Sequence, residues 1–211
     1  MRISVFGLNY VGTICSAYLA DRGHNVIGVD RVEVKVDLIQ SGRLPIIECD
    51  IDDFVKRTVN AGRLVAMMDA AEAIASTDIS IGCVGTPSQP NGALSVTAIE
   101  AVATEIGQTI RSKTTRHEVA ILCTEVPGTT REIIAPRLAE ASGMMPGSGF
   151  GIAFNPEFLR VAGLRQVCIH PLSDRQRPRW SEGLQQRNLA SRHQGLLVEE
   201  SKEVRVGTNL P

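Results

Sequence analysis

Short apolar runs alternate with stretches of helical period along the first 160 residues. Arg2 to Phe6 is apolar enough for a buried strand, and Gly7 breaks it. A helical pattern then runs from Val11 to about Asp21, and a second apolar run, Asn25 to Val29, ends on Asp30. Val32 to Ser41 sets Val32, Val36, Leu38 and Ile39 on or near one helical face and closes at Gly42. After a loop opened by Pro45, the spacing predicts a helix over Asp52 to Ala61, closed by Gly62, and a short one over Ala70 to Ala75. Asp78 to Val84 reads as a buried strand that ends in the polar turn Gly85-Thr86-Pro87-Ser88, with the turn dipeptide Asn91-Gly92 beyond it. Ile99, Val102, Ile106 and Ile110 recur every three or four residues within a predicted helix from Ser95 to Arg111. Glu118 to Cys123 is another strand, punctuated by Pro127-Gly128-Thr129. A helix is expected from about Thr130 to Ala141, with Pro136 kinking it or shifting its start. Gly149 to Phe154 is the last predicted strand.

Strands alternating with helices predict an α/β fold, a doubly wound parallel sheet with helices on both faces, over residues 1–160. The texture changes at residue 161. Residues 161–211 hold five of the chain's eight glutamines and seven of its eighteen arginines, and periodicity fades. Such a stretch has no face to bury. It is expected to be an irregular, disordered tail, or a segment translated out of the ancestral reading frame.

Composition narrows the class. With 43% hydrophobic and 21% charged residues and a net charge of −1, the chain reads as globular. Near-neutrality argues against nucleic acid or a membrane surface as partner. No apolar run approaches the roughly 20 residues that span a bilayer, and the start of the chain makes a poor signal peptide, so a cytoplasmic location is expected. The five cysteines (Cys15, Cys49, Cys83, Cys123 and Cys168) are widely spaced with no C-x-x-C, which suggests neither disulfides nor zinc.

The first thirty residues carry the clearest chemistry. Strand, glycine turn, helix, strand and acid is the layout of a dinucleotide-binding unit. Gly7 and Gly12 permit a tight turn, and the helix N-terminus offers N–H groups to a pyrophosphate. Asp30, 23 residues after Gly7, can accept hydrogen bonds from a ribose. Its charge repels a 2′-phosphate, so NAD is expected over NADP, with Arg31 beside it pulling the other way. The motif departs from type at Asn9, where a middle glycine is usual. Asn tolerates a left-handed backbone, but its side chain would crowd the phosphates and weaken binding by roughly 1–3 kcal/mol.

Five ordered segments resemble one family. They are Gly7-Leu8-Asn9-Tyr10-Val11-Gly12, Gly28-Val29-Asp30 with Lys35, Cys83 to Ser88 with Asn91-Gly92, Thr124 to Thr129, and Asn155-Pro156-Glu157-Phe158-Leu159-Arg160. Together they are similar to the nucleotide-sugar 6-dehydrogenases of the UDP-glucose/GDP-mannose dehydrogenase family, most of all its GDP-mannose branch, which supplies alginate precursors. The resemblance implies an NAD-binding Rossmann domain over residues 1–160. In that family NAD⁺ takes two hydrides while a sugar C6 alcohol becomes a carboxylate through a cysteine-bound thioester.

The resemblance also implies roles residue by residue. Tyr10 and Val11 would face the pyrophosphate, Lys35 the adenosine ribose or a phosphate, and Thr86 the nicotinamide ribose. Thr124 would touch the cofactor and help hold the catalytic water. Glu157, Phe158 and Leu159 would meet the nucleotide-sugar substrate. Val161 stands where the family has a glutamate that moves protons. Cys123 reads as a core residue, and Cys168 lies too early in the chain to be the nucleophile. The family's central helix and substrate domain are not found in these 211 residues. The chain is therefore expected to bind NAD without completing the oxidation, or to serve as a non-catalytic module pairing with a full-length homologue.

Overall fold

The structure, a computed structural model of the chain, describes residues 1–46 and 51–155. Six strands form one sheet: β1 (Arg2–Phe6), β2 (Asn25–Val29), β3 (Leu64–Met67), β4 (Ile79–Gly82), β5 (His117–Ile121) and β6 (Phe150–Phe154). Their order is β3-β2-β1-β4-β5-β6. Every neighbouring pair is parallel, with Ile3 of β1 in register with Val26 on one side and Ile79 on the other. Strands covered on both faces need apolar residues almost throughout, and β4 is buried at all four positions.

Helices α1 (Tyr10–Asp21), α2 (Glu33–Gln40) and α3 (Asp52–Asn60) share one core with the sheet, built on Ile3, Ile14, Ile39, Val55 and Leu64. Helices α4 (Ala70–Ser76), α5 (Thr97–Ile110) and α6 (Ala135–Ser142) share the other, built on Ile74, Ile99, Ile106, Leu138 and Phe150. The doubly wound architecture read from the alternation is the observed one.

Three details differ from expectation. Strand β3 has no counterpart in the sequence reading; it is a four-residue edge strand, too short to show a period. The strand expected over Asp78 to Val84 pairs only from Ile79 to Gly82, because the chain beyond turns away to build a loop. The helix expected to begin near Thr130 starts as a π-helical turn, Thr130–Ile134, and becomes α-helical at Ala135. Pro136, which has no N–H to give, thus falls at the junction where the π-helical turn passes into α6.

The chain runs outward from β1 in both directions, to β2 and β3 on one side and to β4, β5 and β6 on the other. Such a switch point opens a crevice at the carboxyl ends of the two central strands. Those ends are Phe6 and Gly82. The residues from 156 onward, with Glu157, Phe158, Leu159, Val161, Cys168 and the expected tail, lie outside the described residues, as does Cys49.

Candidate functional site

The turn leaving β1 is shaped by close approach. Gly7 has φ +94°, and a Cβ there would lie 2.9 Å from the Cys83 carbonyl oxygen. A Cβ on Gly12 would lie 1.8 Å from the Gly7 carbonyl oxygen, which no side chain tolerates. Gly28 of β2 leaves room for Leu8, whose side chain would stand 2.7 Å from a Cβ at that position. Leu8 is fully buried and fastens the turn to the sheet.

Asn9 corrects the expectation of a left-handed backbone. Its φ of −83° and ψ of −166° are extended, as an N-cap requires. Its Oδ1 accepts from the Gly12 N–H at 3.1 Å, and its Nδ2 donates to the Cys83 carbonyl at 2.7 Å. The side chain therefore stitches the start of α1 to the end of β4. Tyr10 and Val11 open α1, and the Val11 N–H has no hydrogen-bond partner among the described residues.

Asp30 stands at the end of β2 with its side chain 9% exposed. Oδ2 accepts from the Leu8 N–H at 2.7 Å and from Lys35 Nζ at 3.0 Å, while Oδ1 accepts from the Val32 N–H at 3.0 Å. A carboxylate offers about four acceptor sites, so one remains for a ribose hydroxyl. Lys35, expected at the adenosine ribose or a phosphate, reaches that region through this ion pair. Arg31 turns away and pairs with Glu105 of α5 at 2.6 Å.

Beyond β4 and β5, the Thr86 hydroxyl donates to the Thr124 carbonyl at 2.6 Å, closing one loop on the other. Its oxygen keeps lone pairs to accept from a ribose. Thr124 is exposed at the carboxyl end of β5. Glu125, which the sequence reading passed over, follows it. Its Oε1 accepts from the Thr130 hydroxyl at 2.6 Å, whereas Oε2 is buried without a partner, and burial raises its pKa above the usual carboxylate range. Cys83 and Cys123 are buried, in keeping with a core role.

Gly7, Tyr10, Val11, Gly12, Asp30 and Lys35 are thus gathered around one turn, and Thr86 and Thr124 are joined beside it. Asn9 bridges the two groups through Cys83. This arrangement fits a dinucleotide. A positive-φ glycine and a glycine with no space for Cβ bring the backbone to a helix N-terminus, where N–H groups hold phosphate. An oriented carboxylate with a site to spare stands at the end of the next strand. Among the described residues no group of three or more His, Cys, Asp or Glu could hold a metal ion, and no helix is long and apolar enough to cross a membrane.

Known proteins are similar to this chain in sequence and in fold. Residues 1–171 match the profile of the UDP-glucose/GDP-mannose dehydrogenase family, NAD binding domain. A GDP-mannose 6-dehydrogenase from Pseudomonas savastanoi pv. phaseolicola is 47% identical over 174 residues, which are 82% of this chain and 40% of that protein. The crystal structure of a ternary complex of GDP-mannose dehydrogenase from Pseudomonas aeruginosa superposes with a TM-score of 0.75 at 45% identity, over 76% of this chain and 37% of the other. A UDP-glucose dehydrogenase from the archaeon Pyrobaculum islandicum superposes with a TM-score of 0.71 at 38% identity, over 75% of this chain and 36% of the other. This chain spans 40% of the length of the first of these relatives. Fold, turn geometry and similarity agree: the chain belongs to the UDP-glucose/GDP-mannose dehydrogenase family and carries its NAD-binding domain.

Proposed function

We propose that this chain is the cofactor-binding part of a nucleotide-sugar 6-dehydrogenase of the GDP-mannose type, serving the supply of uronic-acid precursors for an alginate-like polysaccharide. The observation that carries the reading is the coupling of the glycine turn to the ribose acid: the Leu8 N–H inside the turn donates to Asp30 at 2.7 Å. NAD⁺ held here would supply the hydride acceptor for oxidation at the sugar C6 carbon. The chain's own residues bind and orient. The N-terminus of α1, through Tyr10 and Val11, takes the pyrophosphate. Asp30 takes a ribose hydroxyl at its spare acceptor site, steadied by Lys35. Thr86 accepts from the second ribose, and Thr124, exposed beside it, positions a water. Glu157, Phe158 and Leu159, outside the described residues, would meet the sugar nucleotide, as the family resemblance implies. At Val161 no ionisable group is available to move a proton. Cys83 and Cys123 present no exposed thiol for a covalent intermediate.

Calorimetric titration of the 211-residue chain with NAD⁺ tests the reading. Saturable one-to-one binding is expected, weakened about tenfold or more in Asp30→Ala, which loses a charged hydrogen-bond acceptor. Absence of binding would remove the cofactor reading. With GDP-mannose added, binding without sustained NADH formation, followed by its absorbance, is expected. Continuous turnover would show that the chain supplies its own proton-transfer group and nucleophile.

A further inference from the structure

Asp30 disfavours a 2′-phosphate by charge, but the residue after it is an arginine, the kind of side chain that accommodates that phosphate in NADP-binding relatives of the fold. The structure shows what becomes of this cation. The Arg31 guanidinium donates to Glu105 Oε1 at 2.6 Å, across 74 residues of sequence. Glu105 projects from α5, on the face of the sheet opposite α1 and α2. The other cation at the end of β2, Lys35, is held by Asp30 at 3.0 Å. Each cation nearest the ribose acid is thus engaged by a carboxylate, and Glu105 adds a further negative charge.

We propose that Glu105 is a specificity residue of the cofactor site: by holding Arg31 on α5 it denies a 2′-phosphate its counter-ion and so disfavours NADP⁺ against NAD⁺. The inference rests on the cofactor reading above. The Arg31 side chain is 73% exposed and that of Glu105 36%. The pair is thus solvated and separable, and its effect is a several-fold one. Freed from Glu105, the long Arg31 side chain stays tethered one residue from the ribose acid, where a 2′-phosphate would stand.

The test is binding of NAD⁺ and NADP⁺ to wild type, Glu105→Gln and the double variant Glu105→Gln/Arg31→Gln, at one low ionic strength. In Glu105→Gln the affinity for NADP⁺ relative to NAD⁺ is expected to rise about fivefold. In the double variant the ratio is expected to fall back, because the gain runs through the guanidinium. Retention of the gain in the double variant would mean simple relief of negative charge, and would overturn the proposal. An unchanged ratio in Glu105→Gln, or NADP⁺ binding to neither protein, would also overturn it while leaving NAD⁺ binding intact. Failure of the wild type to bind NAD⁺ would instead bring down the cofactor reading, and this inference with it. Both side chains lie at the surface, so circular dichroism should show the variants folded as the wild type is.

Discussion

Asn9 occupies the place of the middle glycine without using glycine's backbone freedom. The positive φ of the turn belongs to Gly7, and Asn9 is extended. What Asn9 changes is the distribution of donors: its Oδ1 takes the Gly12 N–H, which a pyrophosphate could otherwise use. Asn9→Gly is therefore expected to tighten NAD⁺ binding by about 1.5–3 kcal/mol, the worth of a hydrogen bond to a charged group. It should also lower stability by about 1 kcal/mol, since the cap and the bond to Cys83 disappear. Calorimetry and a thermal melt on the same sample read both, and an unchanged NAD⁺ affinity would show that the Gly12 N–H plays no part. The gathering of Gly7, Gly12 and Asp30 about one turn was legible in the sequence because each is set by local chain geometry. The capping role of Asn9 was not, because half of it depends on Cys83, 74 residues away.

At the scale of elements, a buried polar chain links α4, α5 and the starts of β4 and β5. Lys113, just past α5, donates to the Ile74 and Thr77 carbonyls and lies 3.1 Å from His117 Nδ1. His117 Nε2 lies 2.8 Å from the Ser80 hydroxyl. Ser80 is 2.8 Å from Ser4. Burial, aided by the charge on Lys113, pushes the His117 pKa down to about 4, against the Thr77 carbonyl and the more distant pull of Asp78. A depressed folded-state value means that the unfolded chain takes up the proton first. Stability is full above about pH 6.5 and drains as pH falls from there towards 4. The total is about 3 kcal/mol. Urea unfolding from pH 7 to 4.5 should show this loss and His117→Gln should lack it, while NMR of the wild-type ring should show no protonation above pH 5 (about one unit above its depressed value). The four histidines form no spacing pattern in the sequence. Only the register of β4 and β5, which sets Ile79 against Glu118, brings Ser80 near His117.

For the whole molecule, the arrangement about β1 puts the glycine turn, the ribose acid and the Thr86–Thr124 pair at one edge of the sheet. The loops there come from three strands, β1, β2 and β4, with β5 contributing Thr124. A ligand bridging them should stabilise the domain as a unit. At a hundredfold excess over its Kd, NAD⁺ is expected to add about 2.7 kcal/mol. For a domain of this size that raises Tm by roughly 5–10 °C. Differential scanning fluorimetry with and without NAD⁺ reads the shift, and a Tm unmoved by saturating NAD⁺ would show that the loops do not close on the cofactor.

Taken alone, the sequence determined the alternation of elements, the parallel sheet, the glycine turn and the acid that ends β2. All of these follow from periodicity and from backbone constraints that act within about thirty residues. It also carried the five ordered segments by which the family was recognised. Tertiary structure decided the rest. It recruited Leu64–Met67 as an edge strand, because a four-residue run becomes a strand only when β2 stands beside it. It placed Asn9 against Cys83, aimed Arg31 at Glu105 and buried one oxygen of Glu125. Each of these depends on partners brought close by sheet order and helix packing, which no local pattern encodes.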